Sequence, residues 1–156
     1  MNLPTDIDVS AFRLDDSLGF VLHRTLSAIK STVRRVFHEK GCDVTVDQWV
    51  ILCALWEEDG CSQSSLSDRT YKDPPTVTRM LDLLERKGLV VRRPSPTDRR
   101  MVEVYLTPEG RAFRQELVPV VIDLHRDILG GLSAAEVRRL YAMLHHIFQN
   151  VQPPDR

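Results

Sequence analysis

Apolar side chains recur every three or four positions between Phe12 and Lys40, at Leu14, Leu18, Val21, Leu22, Leu26, Ile29, Val33, Val36 and Phe37. This spacing predicts one long amphipathic helix, ended by Gly41 in the left-handed cap position. Thr45 and Gln48 form a capping box, which opens a second helix over about 46–58. That helix carries Trp49, Val50, Cys53 and Trp56 on one side and is stopped by Gly60. Ser62 caps a short third helix, about 63–70, anchored by Leu66, and Tyr71-Lys72 makes a tight turn. Asp73 caps a fourth helix, about 74–87, with Pro74 at the first helical position, where a missing N–H costs nothing. Val77, Met80, Leu81 and Leu84 form its buried stripe, and Gly88 ends it.

After Gly88 the period falls from 3.6 to 2. Leu89–Arg93 reads as a strand, Pro94–Asp98 as a turn-rich tip, and Met101–Leu106 as a returning strand with Val102, Val104 and Leu106 on one face. Thr107 and Pro108 open a fifth helix to about Leu129, with Pro119 inside it and expected to kink it. Gly130-Gly131 breaks the chain, and the Ser133/Glu136 capping box starts a sixth helix to about Asn150. The expected fold class is mainly α: a winged helix-turn-helix with a two-stranded β wing, plus long N- and C-terminal helices.

Two short capped helices followed by a basic hairpin suit duplex DNA. A helix fits the major groove, where base edges are distinguishable, and a hairpin can reach the neighbouring backbone or minor groove. The face of the fourth helix opposite its buried stripe presents Pro75, Thr76, Thr78, Arg79, Asp82 and Arg86. Arg79 can grip guanine with two hydrogen bonds, and the threonines can bond base edges or phosphate. Arg86, two turns on, is placed for phosphate. Ser62, Gln63 and Ser64 at the start of the third helix join the candidate contacts, as do Ser95, Asp98, Arg99 and Arg100 at the hairpin tip. Asp98 would be repelled by DNA, so its expected task is to hold Arg99 or Arg100 outward. Arg92 and Arg93 alternate along a strand, so one should face DNA while the other pairs with acidic neighbours.

Charge sharpens this picture. The chain of 156 residues carries a net charge of −1, yet residues 86–100 hold six basic side chains against Asp98 alone. A local basic patch on an acidic protein binds a polyanion in one orientation. The length suits a single unit, with about 45–107 as the DNA-binding lobe and about 11–41 and 108–150 as a helical region. No apolar run approaches a membrane span, and the acidic N-terminus has no signal core, so a cytoplasmic location is expected. No nucleophile–base pair, glycine-rich phosphate loop or carboxylate pair points to an enzyme or a cofactor. The five histidines are scattered, so no metal site is expected.

The stretches Asp73–Val90, Arg93–Arg100 and Val104–Gly110 together resemble the MarR (multiple antibiotic resistance regulator) family of bacterial transcription factors, including the Asp98-Arg99-Arg100 wing signature. The resemblance covers roughly residues 12–150. Pro75 departs from it, standing where the family often has a small Ser or Ala. The resemblance implies a homodimer joined through the first, fifth and sixth helices. It also implies binding to a pseudo-palindromic operator in double-stranded DNA, usually as a repressor released by a small molecule, oxidant or metal. An aromatic or phenolic effector would lie between the long helices and the DNA-binding lobe, where Arg34, His38 and Trp49 are candidate contacts. Cys42 and Cys61, read as loop cysteines flanking the second helix, are candidates for an alternative thiol-based redox response. Relatives that sense peroxide carry the thiol near the start of the first helix, where this chain has none. An alternative of a different class is a winged helix turned protein-interaction module.

Overall fold

A computed structural model describes residues 13–96, 98 and 101–152. The chain divides into two compact units, the boundary falling between Val120 and Val121 inside the fifth helix. In the first unit, a short 3-10 turn (Leu14–Asp16) precedes α1 (Leu18–Glu39), α2 (Val46–Glu57), β1 (Cys61–Ser62), α3 (Gln63–Thr70), α4 (Pro74–Arg86), β2 (Val90–Pro94) and β3 (Val102–Leu106). Then α5 (Pro108–Ile128) begins, running on through Pro119 as one helix. The second unit holds the rest of α5 and α6 (Ala134–Val151), the latter opened by the Ser133/Glu136 capping box.

The first helix starts later than its periodicity suggests. Asp16 Oδ2 accepts the Arg13 amide at 3.0 Å, and Ser17 Oγ accepts the Phe20 amide at 3.4 Å. These short polar side chains take up backbone donors and set the N-terminus at Leu18. In α2 the buried residues are Gln48, Ile51, Leu52, Ala54 and Leu55, while Trp49, Val50, Cys53 and Trp56 are half-buried. The predicted apolar side was therefore the lesser one. This helix is apolar nearly all round and is covered on both sides. Leu66 of α3 and Val77, Leu81 and Leu84 of α4 are fully buried, with Met80 beside them. That stripe of α4 lies as its spacing predicts.

The sheet has three strands in the order β1-β3-β2, all antiparallel, and not the two expected. Cys61 pairs with Val104, and Val91 with Tyr105. A two-residue strand is too short to show a period of two. Gly60 does not stop α2, which ends at Glu57; it has φ +80° and turns the chain into β1. A Cβ at Gly60 would sit 2.6 Å from the Tyr105 ring. Asp59 ties the ends together: one carboxylate oxygen accepts the Leu106 amide at 2.7 Å, and the other pairs with Arg111 of α5 at 2.6 Å. Thr107 Oγ1 accepts the Gly110 amide at 3.0 Å and donates to the Gly88 carbonyl at 2.6 Å. Trp56 Nε1 donates to the Gly110 carbonyl at 3.0 Å. No helix among the described residues is long and apolar enough to cross a membrane.

Gly110 is packed so tightly that a Cβ would lie 2.0 Å from the Leu89 carbonyl oxygen. Backbone, not a flexible side chain, would have to move. Gly110→Ala is expected to lower unfolding free energy by about 1–3 kcal/mol, read by denaturant titration.

Asp47 of α2 accepts from Lys72 at 2.7 Å and from Lys30 of α1 at 3.5 Å. The Lys72 hydrogen bond holds its carboxyl below the usual range, against a smaller opposing effect of burial. A carboxyl depressed in the folded state stabilises above its unfolded pKa, and that stability is lost as pH falls through the lower folded value. Asp47→Asn should thus flatten the loss of stability below about pH 4, measured by urea titrations across the acid range.

Candidate nucleic-acid interface

Asp73 caps α4 by accepting the Thr76 amide at 2.8 Å. Its carboxyl is held low by the Thr76 side chain and amide, with a smaller contribution from the charge of Arg79. With Val77, Met80, Leu81 and Leu84 turned inward, the residues left exposed on α4 include Pro75, Thr78, Arg79, Asp82 and Arg86; Thr76 is half-buried. Thr78 Oγ1 donates to the Pro74 carbonyl at 3.0 Å. Its hydrogen is thus committed within the helix, and its lone pairs and methyl remain for a partner.

Ion pairing sorts the basic residues of this lobe. Arg69 of α3 pairs with Glu57 at 3.1 Å and Glu58 at 3.2 Å. Lys72 is held by Asp47, and Lys87 by Asp43 at 2.8 Å. Arg92 is the strand arginine with acidic neighbours, pairing with Asp82 at 2.7 Å and Glu85 at 2.8 Å. Arg93 is exposed, its guanidinium 5.9 Å from the centroid of the Tyr105 ring. Arg79 and Arg86 make no hydrogen bond or ion pair with other described residues. They lie seven residues apart, two turns along one line of the helix.

The other candidates behave differently. Ser62 caps α3, its Oγ accepting the Ser65 amide at 3.1 Å. Gln63 is half-buried, and its Oε1 has no partner among the described residues; Ser64 is exposed. Ser95 departs from expectation: it is 3% exposed. Its amide donates to the Met101 carbonyl at 2.8 Å, its Oγ accepts the Asp98 amide at 3.4 Å, and it hydrogen-bonds the Glu103 carboxylate. Ser95 therefore shapes the hairpin tip from within and does not present its hydroxyl to a duplex. Asp98 is exposed, with its carbonyl accepting the Met101 amide at 2.9 Å. Arg99 and Arg100 lie outside the described residues.

The effector candidates fall in two places. Arg34 and His38 line a cavity of about 300 Å³ with Phe37, Cys42, Val44 and Lys87, between the end of α1, the following loop and the end of α4. Trp49 is not among its lining residues; its ring meets Trp56 edge-on at 5.6 Å. Lys87, missed as a cavity residue in the sequence, shows there as a basic residue at the C-cap of α4.

The redox candidates change character. Cys61 is not in a loop: it sits in β1, 5% exposed, and its Sγ donates to the Glu58 carbonyl at 2.8 Å. Burial raises its pKa, outweighing the nearby Arg69. Burial, aided by Glu116, also raises that of Cys42, and burial pushes Cys53 up to about 12. All three are protonated at neutral pH, the unreactive form of a thiol. No group of three His, Cys, Asp or Glu among the described residues is arranged to hold a metal ion.

Residues 44–102 match the model of the MarR family. The chain is 29% identical over 141 residues to the HTH-type transcriptional repressor IacR of Pseudomonas putida, covering 90% of this chain and 83% of that one. It is similar in structure to apo wild-type MarR from Escherichia coli, with TM-score 0.66, 31% identity and coverage of 88% of this chain and 98% of that one. It is also similar to BpsR of Bordetella bronchiseptica, whose DNA binding is regulated by 6-hydroxynicotinic acid, with TM-score 0.78, 29% identity and coverage of 87% and 96%. With the helix-turn-helix of α3 and α4, the antiparallel wing and relatives matched over nearly their whole length, this chain is a sequence-specific DNA-binding transcriptional regulator belonging to the MarR family.

Proposed function

We propose that the protein is a cytoplasmic, non-enzymatic repressor that binds a pseudo-palindromic operator as a homodimer and is released by a small aromatic or phenolic acid. The observation that carries this reading is the pair Arg79 and Arg86, aligned on the exposed line of α4 and in no ion pair with a described carboxylate. In it α4 enters the major groove, with Thr76, Thr78 and Arg79 at base edges and Arg86 at phosphate. Ser62, Gln63 and Ser64 lie over the backbone, and Asp98 steadies Arg99 and Arg100 at the wing tip. Residues 45–107 act as the DNA-binding lobe, and 11–41 with 108–150 as the dimerisation region.

An uncovered apolar stripe supports the dimer. On or just before α1, Leu14, Leu18, Leu22 and Leu26 recur every four residues at 60%, 51%, 40% and 53% exposure. In the second unit Ile122, Ile128, Tyr141 and Met143 are also exposed. A folded monomer rarely leaves a continuous leucine stripe such as that of α1 in water. The effector site is the cavity beside Arg34 and His38, where cationic donors can meet a carboxylate over the apolar Phe37 and Val44. Ligand-regulated DNA binding in BpsR makes 6-hydroxynicotinic acid the first compound to test.

Selection of bound duplexes from a random pool should yield a two-fold symmetric site. Arg79→Ala is expected to cost about 1–3 kcal/mol on that site and relax one base position per half-site. Arg86→Ala should weaken all sequences alike and lower the salt slope by about one. Uniform weakening by Arg79→Ala would instead assign it to phosphate. A protein-interaction module would show little dependence of duplex affinity on salt.

For the cavity, Arg34→Ala/His38→Ala should keep operator affinity and lose release by 6-hydroxynicotinic or phenolic acids, measured by anisotropy titration. Release at unchanged ligand concentration would move the effector elsewhere.

A further inference from the structure

We propose that Arg92, at the root of the wing, screens the carboxylates of α4 from DNA, so that the helix can approach phosphate without self-made repulsion. Asp82 stands three residues after Arg79 and four before Arg86, on their side of the helix, and its side chain is 50% exposed. Left bare, it would set a negative charge between the two arginines offered to the duplex. Arg92 covers it: one guanidinium nitrogen lies 2.7 Å from Asp82 Oδ1 and donates to the Thr78 carbonyl at 3.1 Å, while the other reaches Glu85 Oε2 at 2.8 Å. The remaining Glu85 oxygen accepts the Arg92 amide at 3.0 Å. A planar fork can serve two carboxylates and a carbonyl together, which a lysine ammonium does poorly. The Arg92 side chain is 21% exposed, so this charge is spent inside the lobe, and Arg92 is a positioning residue that need not touch DNA.

This inference rests on the reading of α4 as the DNA-facing helix. The test compares wild type with Arg92→Met, Asp82→Asn/Glu85→Gln and the triple combination, titrating the selected operator and a random duplex at low and high salt. Arg92→Met should weaken both duplexes by about 3- to 30-fold at low salt, with a gap that narrows as salt screens the bared carboxylates. The triple protein should return to wild-type affinity, and Asp82→Asn/Glu85→Gln should bind the random duplex more tightly than wild type. A triple protein as weak as Arg92→Met would overturn the proposal and make Arg92 a direct contact or a purely structural strut. Asp82→Asn/Glu85→Gln binding no tighter than wild type would overturn it too, and that variant carries the test should thermal unfolding show Arg92→Met to be unfolded. Arg79→Ala in the same series separates the two readings. If it binds like wild type, the placement of α4 fails; if it loses affinity while the charge variants do nothing, only the screening role fails.

Discussion

The burial of four side chains of α4, Val77, Met80, Leu81 and Leu84, is the constraint on which the interface depends. Three of them have no solvent exposure at all. Together they lock the rotation of the helix about its axis, because turning it by one residue would draw apolar carbon into water at about 25 cal/mol per Å². Once that rotation is set, Thr78, Arg79, Asp82 and Arg86 can only face outward. The Asp73 cap and the prolines after it set where the helix begins, so its first turn is aligned as well as its face.

The second layer of organisation is electrostatic. Of the seven described basic residues of the lobe, four are consumed by neighbours: Arg69 by Glu57 and Glu58, Lys72 by Asp47, Lys87 by Asp43, Arg92 by Asp82 and Glu85. Such pairs, with the cation largely covered and the carboxylate partly in solvent, contribute only modest stability individually. Their larger effect is to decide which cations stay available to a polyanion. In a chain with net charge −1, this leaves Arg79, Arg86 and Arg93 as the described cations of the lobe available to a polyanion. Lys87, at the C-cap of α4, and its partner Asp43 both line the Arg34/His38 cavity and so join the charge network to it.

Much of this is legible in the sequence. Caps, glycines and the change of period located α3, α4, β2, β3 and α6 to within a residue or two, because these signals are local. The buried stripe of α4 was legible for the same reason. Missing were features that depend on distant partners. The strand at Cys61–Ser62 exists only because β3 lies beside it, and the buried face of α2 was misjudged because an all-apolar helix does not reveal which side meets which neighbour. Ser95 looked like a surface serine until the hairpin folded over it, and Cys61 like a loop thiol until β1 buried it.

The order of residues alone determined where helices start and stop, which face of α4 is apolar, and that a basic hairpin follows it, since capping, periodicity and charge act within a few residues of one another. Tertiary structure alone decided which charges cancel, which glycine sits against a carbonyl, and that Arg34, His38 and Lys87 share one cavity. Those outcomes turn on distances between groups far apart in the chain, set by how the helices pack and invisible to any local pattern.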